Sequence, residues 1–210
     1  MFYDFFRWFG IVTGYLAQLA FFKTKVYYED KQVQSRRIKG GALIISNHYH
    51  LFDYVVNMFV LLPRKLYAVA GELAYASKFM IWRMRFFGGI QADRINKTMN
   101  FIDESATLLK KGKLVQIFPE GKNTEDGEMA PFKPSYLMIA LRGNVPIIPI
   151  MTNGQYGWRK RVRVLIGKPI NLRDYCTSQN PTREEIQMLN DIVFAKAQEL
   201  RQKLKEESSR

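Results

Sequence analysis

Two histidines and one cysteine are all that this 210-residue chain offers of the side chains that most often bind transition metals or attack carbonyl carbons. The single thiol, Cys176, excludes an intramolecular disulfide and supplies no cysteine-rich metal centre. It fits a reducing, cytoplasm-facing location. No Gly-x-Ser-x-Gly elbow occurs, which argues against a serine hydrolase. Neither a Walker loop nor a Gly-x-Gly-x-x-Gly fingerprint occurs, which removes the usual nucleotide-binding folds. Acidic residues are scarce as well: 19 Asp and Glu stand against 32 Lys and Arg, a formal charge of +13. The segment from Pro181 to Arg210 is nearly balanced, so the basic excess lies in the body of the chain. Such a surface calls for an anionic partner: a nucleic acid, an anionic membrane or a phosphorylated substrate.

The uncharged run from Trp8 to Phe22 falls short of the roughly 20 residues needed to span a bilayer. Plotted as a helix, Asp4, Arg7 and Gln18 form a narrow polar stripe on an otherwise apolar, aromatic surface. Residues 1–25 are therefore expected to form a helix lying in one membrane leaflet, with Lys23 and Lys25 at the headgroups. A cleaved export signal is not expected: an acidic residue sits near the start, and Phe-Phe-Lys stands where small residues should be.

With 47% hydrophobic residues, the remaining length suits one packed domain, residues 26–210. Apolar runs predict strands at Val26–Tyr28, Ala42–Ser46, Leu66–Ala70, Gly88–Ala92, Leu114–Phe118, Pro146–Met151 and Val162–Ile166. Helical spacing predicts Phe52–Leu62, Glu72–Phe86, Lys97–Lys110, Ser135–Leu141 and Thr182–Glu206. The alternation implies an α/β fold: a single domain with a largely parallel central sheet flanked by helices. Such sheets carry their chemistry outside the carboxyl ends of the strands.

Two reactive clusters fall at such ends. The first is Asn47-His48-Tyr49-His50-Leu51-Phe52-Asp53. A neutral imidazole can take a proton from an alcohol, and a carboxylate five residues on can orient it and stabilise the imidazolium. The competing reading is a strand-end histidine satisfied by backbone, with Asp53 an ordinary helix-start residue. His48 and His50 also form a His-x-His pair, but no second motif supplies further ligands, so no metal is expected. The second cluster is Phe118-Pro119-Glu120-Gly121, where a carboxylate meets a flexible backbone N–H that can help hold an oxyanion. Arg94 offers a fork and Lys133 a point charge for a phosphate, although either also reads as a solvated surface cation. No protein nucleophile stands out. Direct attack by a bound substrate hydroxyl is the economical mechanism.

Taken in order, these blocks resemble the glycerolipid acyltransferase family, specifically the bacterial lysophosphatidic acid (1-acylglycerol-3-phosphate) acyltransferases. Asn47-His48 through Asp53 matches the family's Asn-His-x4-Asp, and Gly88 to Arg94 its Gly-x-x-x-x-x-Arg. Phe118-Pro119-Glu120-Gly121 matches Phe-Pro-Glu-Gly, and Val145 to Ile150 its Val-Pro-Ile-x-Pro block. The resemblance implies metal-free, cofactor-free transfer of a fatty acyl group from acyl-CoA or acyl carrier protein to lysophosphatidic acid. It implies His48 as base with Asp53 orienting it, Glu120 and Gly121 positioning the acceptor, and Arg94 and Lys133 holding phosphate. It further implies a peripheral or monotopic protein on the cytoplasmic face of the inner membrane. Nucleic acid is not expected, despite the cationic Trp158–Arg163 segment, because the apolar first helix has no role there.

Two departures bear on the acceptor. The family's usual Thr-Arg-Ser is replaced by Lys122-Asn123-Thr124, where Lys122 stands in for the missing arginine. The usual Phe-Lys-x-Gly is replaced by Phe132-Lys133-Pro134-Ser135. Another lysophospholipid, glycerol 3-phosphate or a different hydroxylated lipid therefore stands as an alternative acceptor.

Overall fold

Strands β1 (Lys25–Tyr28), β2 (Ala42–Ile45), β3 (Leu66–Gly71), β4 (Gly89–Ala92), β5 (Leu114–Ile117), β6 (Ile147–Thr152) and β7 (Arg163–Ile166) make one sheet. Their order is β1-β7-β6-β2-β5-β3-β4. Helices α1 (Phe52–Val60), α2 (Lys78–Phe87), α3 (Asn100–Lys110), α4 (Ser135–Gly143) and α5 (Arg183–Ser209) flank it. These positions come from a computed structural model that describes residues 12–15, 18–71, 75, 77–92, 99–123, 128–157, 160–178 and 180–209.

The five strands from β6 to β4 run parallel, as the alternation of strands and helices requires. The departure is at β7, which pairs antiparallel with β6 and carries β1 along parallel to itself. No helix lies among the described residues between β6 and β7, so nothing there supplies the crossover that a parallel neighbour needs.

Strands β2, β5 and β6 are buried along their whole length, which explains why they read as unbroken apolar runs. Alternate residues feed two cores. Leu43, Ile45 and Val115 pack with α3, α4 and α5, while Ala42, Ile44 and Leu114 pack under α1. Arg64 clamps the opposite end of the sheet from the strand tips, donating to the carbonyl oxygens of Ile38, Gly40 and Gly112.

Helix α2 begins at Lys78, where the Ser77 hydroxyl accepts the Met80 N–H at 3.2 Å and caps the first turn, while most of the stretch from Glu72 to Ser77 that was expected to be helical lies outside the described residues. Helix α5 opens on a capping box: Glu185 N–H donates to the Thr182 hydroxyl at 3.2 Å, and Glu185 accepts the Thr182 N–H at 2.7 Å.

Much of the segment expected to lie in a leaflet is outside the described residues: 1–11, 16 and 17. Residues 12–15 and 18–22 are helical. This stretch is not free of the domain, since Phe22 and Gln18 are buried and Tyr15 meets the Phe59 ring at 6.2 Å. Its other face leaves Val12, Leu19 and Phe21 exposed. Among the described residues, no helix is long and apolar enough to cross a membrane.

Candidate active site

The tips of β6, β2 and β5 are neighbours in the sheet, and the turns that leave them meet. Asn47, just past β2, ties itself to β6: its amide donates to the Thr152 carbonyl at 2.9 Å and accepts the Thr152 N–H at 2.8 Å. The next residue is His48. Its Nδ1 lies 3.1 Å from Asp53 Oδ2, and Asp53 is fully buried on the first turn of α1. A carboxylate oxygen accepts, so in this contact Nδ1 is the donor and Nε2 is the other ring nitrogen. The imidazole stacks on Phe118 from the β5 tip, with ring centroids 4.0 Å apart. One edge of the ring is held, and the ring lines an open cleft.

A buried carboxylate needs donors, and Asp53 has several. Oδ2 accepts the backbone N–H groups of Tyr49 and His50, each at 2.7 Å. Oδ1 accepts the Thr152 hydroxyl at 3.0 Å and the Tyr156 hydroxyl. Burial first, and then the Asp53 charge, push the Tyr156 phenol pKa well up, so it serves as a donor. The phenol is seated among aromatic rings, with the centroids of Phe22 and Phe52 each 5.8 Å away.

Glu120, expected to touch substrate, is buried at 1% exposure and occupied otherwise. It accepts the backbone N–H of His48 at 3.0 Å and that of Ala130 at 2.9 Å. The carboxylate thus brackets the His48 backbone against the loop that precedes α4. Gly121 also differs from expectation. Its N–H donates to the Phe118 carbonyl at 3.1 Å, closing a turn with φ +68°, so that N–H is spent on the turn and not aimed at an oxyanion. What the glycine permits is close approach: a Cβ there would sit 3.1 Å from Lys133 Nζ. Arg94 lies outside the described residues.

The cleft holds about 1860 Å³, above the few hundred to 1,000 Å³ typical of drug-sized ligands. His48, Gly121, Lys122 and Lys133 line it together. Its apolar walls come from both faces of the sheet: Tyr54, Val55 and Phe87 belong to the core under α1, and Phe101, Met129 and Met138 to the opposite core. An imidazole, two cations and apolar side chains from both cores converge there. Asn47 entered the sequence reading only as the first residue of its motif, with no role of its own, and Thr152 and Tyr156 were not singled out. Thr152 carried one usable signal, a hydroxyl at the carboxyl end of a parallel strand, and Tyr156 carried none.

A family model described as Acyltransferase matches residues 24–153, well over half of the chain. A 1-acyl-sn-glycerol-3-phosphate acyltransferase of Bacillus subtilis is 24% identical over 170 residues, covering 79% of this chain and 83% of that protein. Relatives of the same name from Cocos nucifera and Limnanthes douglasii are 30% and 28% identical over 155 and 176 residues. Those matches take in 69% and 75% of this chain but only 48% and 59% of the plant proteins. The crystal structure of the 1-acyl-sn-glycerophosphate (LPA) acyltransferase PlsC from Thermotoga maritima shares the fold, with a TM-score of 0.63 at 20% identity. That likeness covers 95% of this chain and 79% of the other.

Proposed function

This chain belongs to the acyltransferase family, and on that premise we propose that it transfers a fatty acyl group from a thioester to the free hydroxyl of lysophosphatidic acid, giving phosphatidic acid. The observation that carries the reading is the His48–Asp53 pair on the wall of a cleft that also holds Lys122 and Lys133.

In this mechanism His48 Nε2 takes the proton of the acceptor hydroxyl as its oxygen bonds to the thioester carbonyl carbon. The tetrahedral adduct then breaks its C–S bond, and the departing thiolate takes the proton back from the imidazolium. Base and acid are one group, so no net charge remains on the protein. Asp53 stays ionised throughout and stabilises the imidazolium. Glu120 holds the His48 backbone in place, and Lys133 and Lys122 meet the acceptor phosphate, a role that the family resemblance also implies for Arg94. Apolar walls drawn from both cores, around a volume of about 1860 Å³, suit a reaction with two lipid tails, one on the donor and one on the acceptor. The donor is acyl-CoA or acyl carrier protein, both anionic partners for a chain of charge +13.

The reaction takes place at a membrane surface, on the cytoplasmic face of the inner membrane. Leu51 and Met99 line the cleft and are well exposed, as are Phe79 and Trp82 on α2, together with Val12, Leu19 and Phe21. Apolar side chains left bare in this way suit partial insertion among headgroups. The test is mass spectrometry of products from the full chain in detergent or vesicles, offered both donor types and lysophosphatidic acid. Product is expected from the parent and not from His48→Ala; near-normal turnover by His48→Ala would remove the proposed base.

One observation favours a second reading: Lys122-Asn123-Thr124 replaces the motif that resembles a phosphate contact in the family. An acceptor panel with one labelled donor separates the readings. Refusal of lysophosphatidic acid alongside acylation of another lysophospholipid, glycerol 3-phosphate or a hydroxylated lipid would favour the second.

A further inference from the structure

We propose that Tyr156 and Thr152 are positioning residues that set how readily His48 takes up a proton, by loading the Asp53 oxygen that faces away from the imidazole. The inference rests on the reading of His48 as the base.

The two oxygens of Asp53 are served by different parts of the chain. Oδ2 faces His48 and the amides of the turn after β2, all within five residues of the aspartate. Oδ1 is held by two hydroxyls from the far end of β6 and the segment beyond it, 99 and 103 residues away in sequence. Those hydroxyls are also 3.4 Å from one another. The turn amides come with the local fold, whereas the hydroxyls arrive only when β6 is seated beside β2.

Two donors on Oδ1 have two effects. They fix the plane of the carboxylate, so that Oδ2 points at Nδ1. They also draw negative charge towards Oδ1 and away from the imidazole, because a hydrogen bond to an ionised oxygen is stronger than a neutral one and stabilises the charge it receives. With less charge facing Nδ1, the imidazolium is less favoured and His48 stays neutral, and so competent as a base, to lower pH. The Tyr156 ring is locked by Phe22, Phe52 and His50, the last with its centroid 6.2 Å away. The hydroxyl is therefore held in place and does not swing to solvent.

The other charged and titratable groups around the pair leave this comparison unchanged. His50 and Tyr49 come from the turn itself, and Glu120 contacts the His48 backbone from the β5 tip. Lys122 and Lys133 line the cleft, and Arg201 of α5 reaches the Tyr49 hydroxyl at 3.2 Å. Removing the Tyr156 hydroxyl moves none of them. In that variant the Asp53 carboxylate keeps Tyr49, His50 and Thr152 as donors and presents more charge to His48.

The chain has two histidines, so an NMR titration of the imidazole Hε1 protons in the detergent-solubilised full chain shows two resonances, with His48→Ala assigning them. Tyr156→Phe is expected to raise the His48 midpoint by about half a pH unit or more, and Thr152→Val to raise it in the same direction. Thr152→Ser, which keeps the hydroxyl, is expected to stay at the parent value. The acid limb of kcat/KM should move up by the same amount, with KM for the lysolipid unchanged. An unmoved or lowered His48 midpoint in both variants overturns the proposal. So does a loss of rate at every pH without displacement of the limb, which marks a merely structural role. If His48→Ala is inactive and the midpoints do not move, this inference alone fails. If His48→Ala is active, the base assignment fails, and with it this inference.

Discussion

The Asn47 side chain is the clasp between β2 and β6, and its removal has a calculable effect. Asn47 and Thr152 are both almost wholly buried, and two hydrogen bonds of 2.9 and 2.8 Å join them. Truncation in Asn47→Ala leaves the Thr152 N–H and C=O without those partners in a space closed to bulk water. Each orphaned group costs about 1–3 kcal/mol, so a total near 3–4 kcal/mol is expected. That is a large share of the roughly 5–15 kcal/mol by which domains are stable. The shape-preserving Asn47→Asp should be no milder. It keeps the acceptor for the Thr152 N–H but sets oxygen against the Thr152 carbonyl and buries a second carboxylate near Asp53. Urea unfolding followed by near-UV circular dichroism, with a constant slope as the control, gives the comparison. Turnover should fall in parallel, because Thr152 also donates to Asp53. An Asn47→Ala protein within about 0.5 kcal/mol of the parent would refute the assigned cost of orphaned groups.

Gly154 combines φ +65° with a position where a Cβ would sit 2.5 Å from the Tyr49 ring. Gly154→Ala should therefore lower the melting temperature and activity together, through the Tyr49 amide that serves Asp53; an unchanged melting curve would contradict this. Arg142 and Asp103 form an ion pair with both side chains well exposed, so Arg142→Ala should change the unfolding free energy by less than about 0.5 kcal/mol. At high pH the folded chain keeps phenol protons that the unfolded chain loses near pH 10. Burial pushes Tyr136 and Tyr156 well up and Tyr75 to about 12. Their contribution is intact below about pH 10 and lost as pH rises above it, at about 1.4 kcal/mol per pH unit for the fully buried Tyr136. Unfolding midpoints measured from pH 9 to 12 should fall accordingly, and a flat profile would count against the burial of these rings.

Where residues act on near neighbours, the chain could be read directly. His48 and Asp53 are five residues apart and bridged by a single turn, so spacing alone suggested the pair. The central strands were legible because burial on both faces leaves unbroken apolar runs. Long-range features were not. The donors on Asp53 Oδ1 come from beyond β6, and nothing near Tyr156 marks it as different from any other tyrosine. Glu120 read as a substrate contact because its motif stands at a strand end, but which way a carboxylate turns depends on which backbone amides surround it. The cap at Ser77 was not legible either, because apolar and aromatic spacing continues upstream of it in the sequence. The reversal at β7 depends on which elements separate two strands, and apolar runs do not report direction.

The edge of the sheet has one consequence for how the protein is made. Strand β1 precedes the other six strands of the sheet in sequence, yet its ladder is with β7: Lys25 has no strand partner until Arg163 has left the ribosome. Until then the amides of β1 lack their ladder, while β2 to β5 can already assemble and α1 can receive Tyr15 and Phe22. An unpaired strand next to an apolar segment is a hazard in water but not where lipid shelters it. Synthesis beside a bilayer would give β1 an apolar refuge until β7 seals it in.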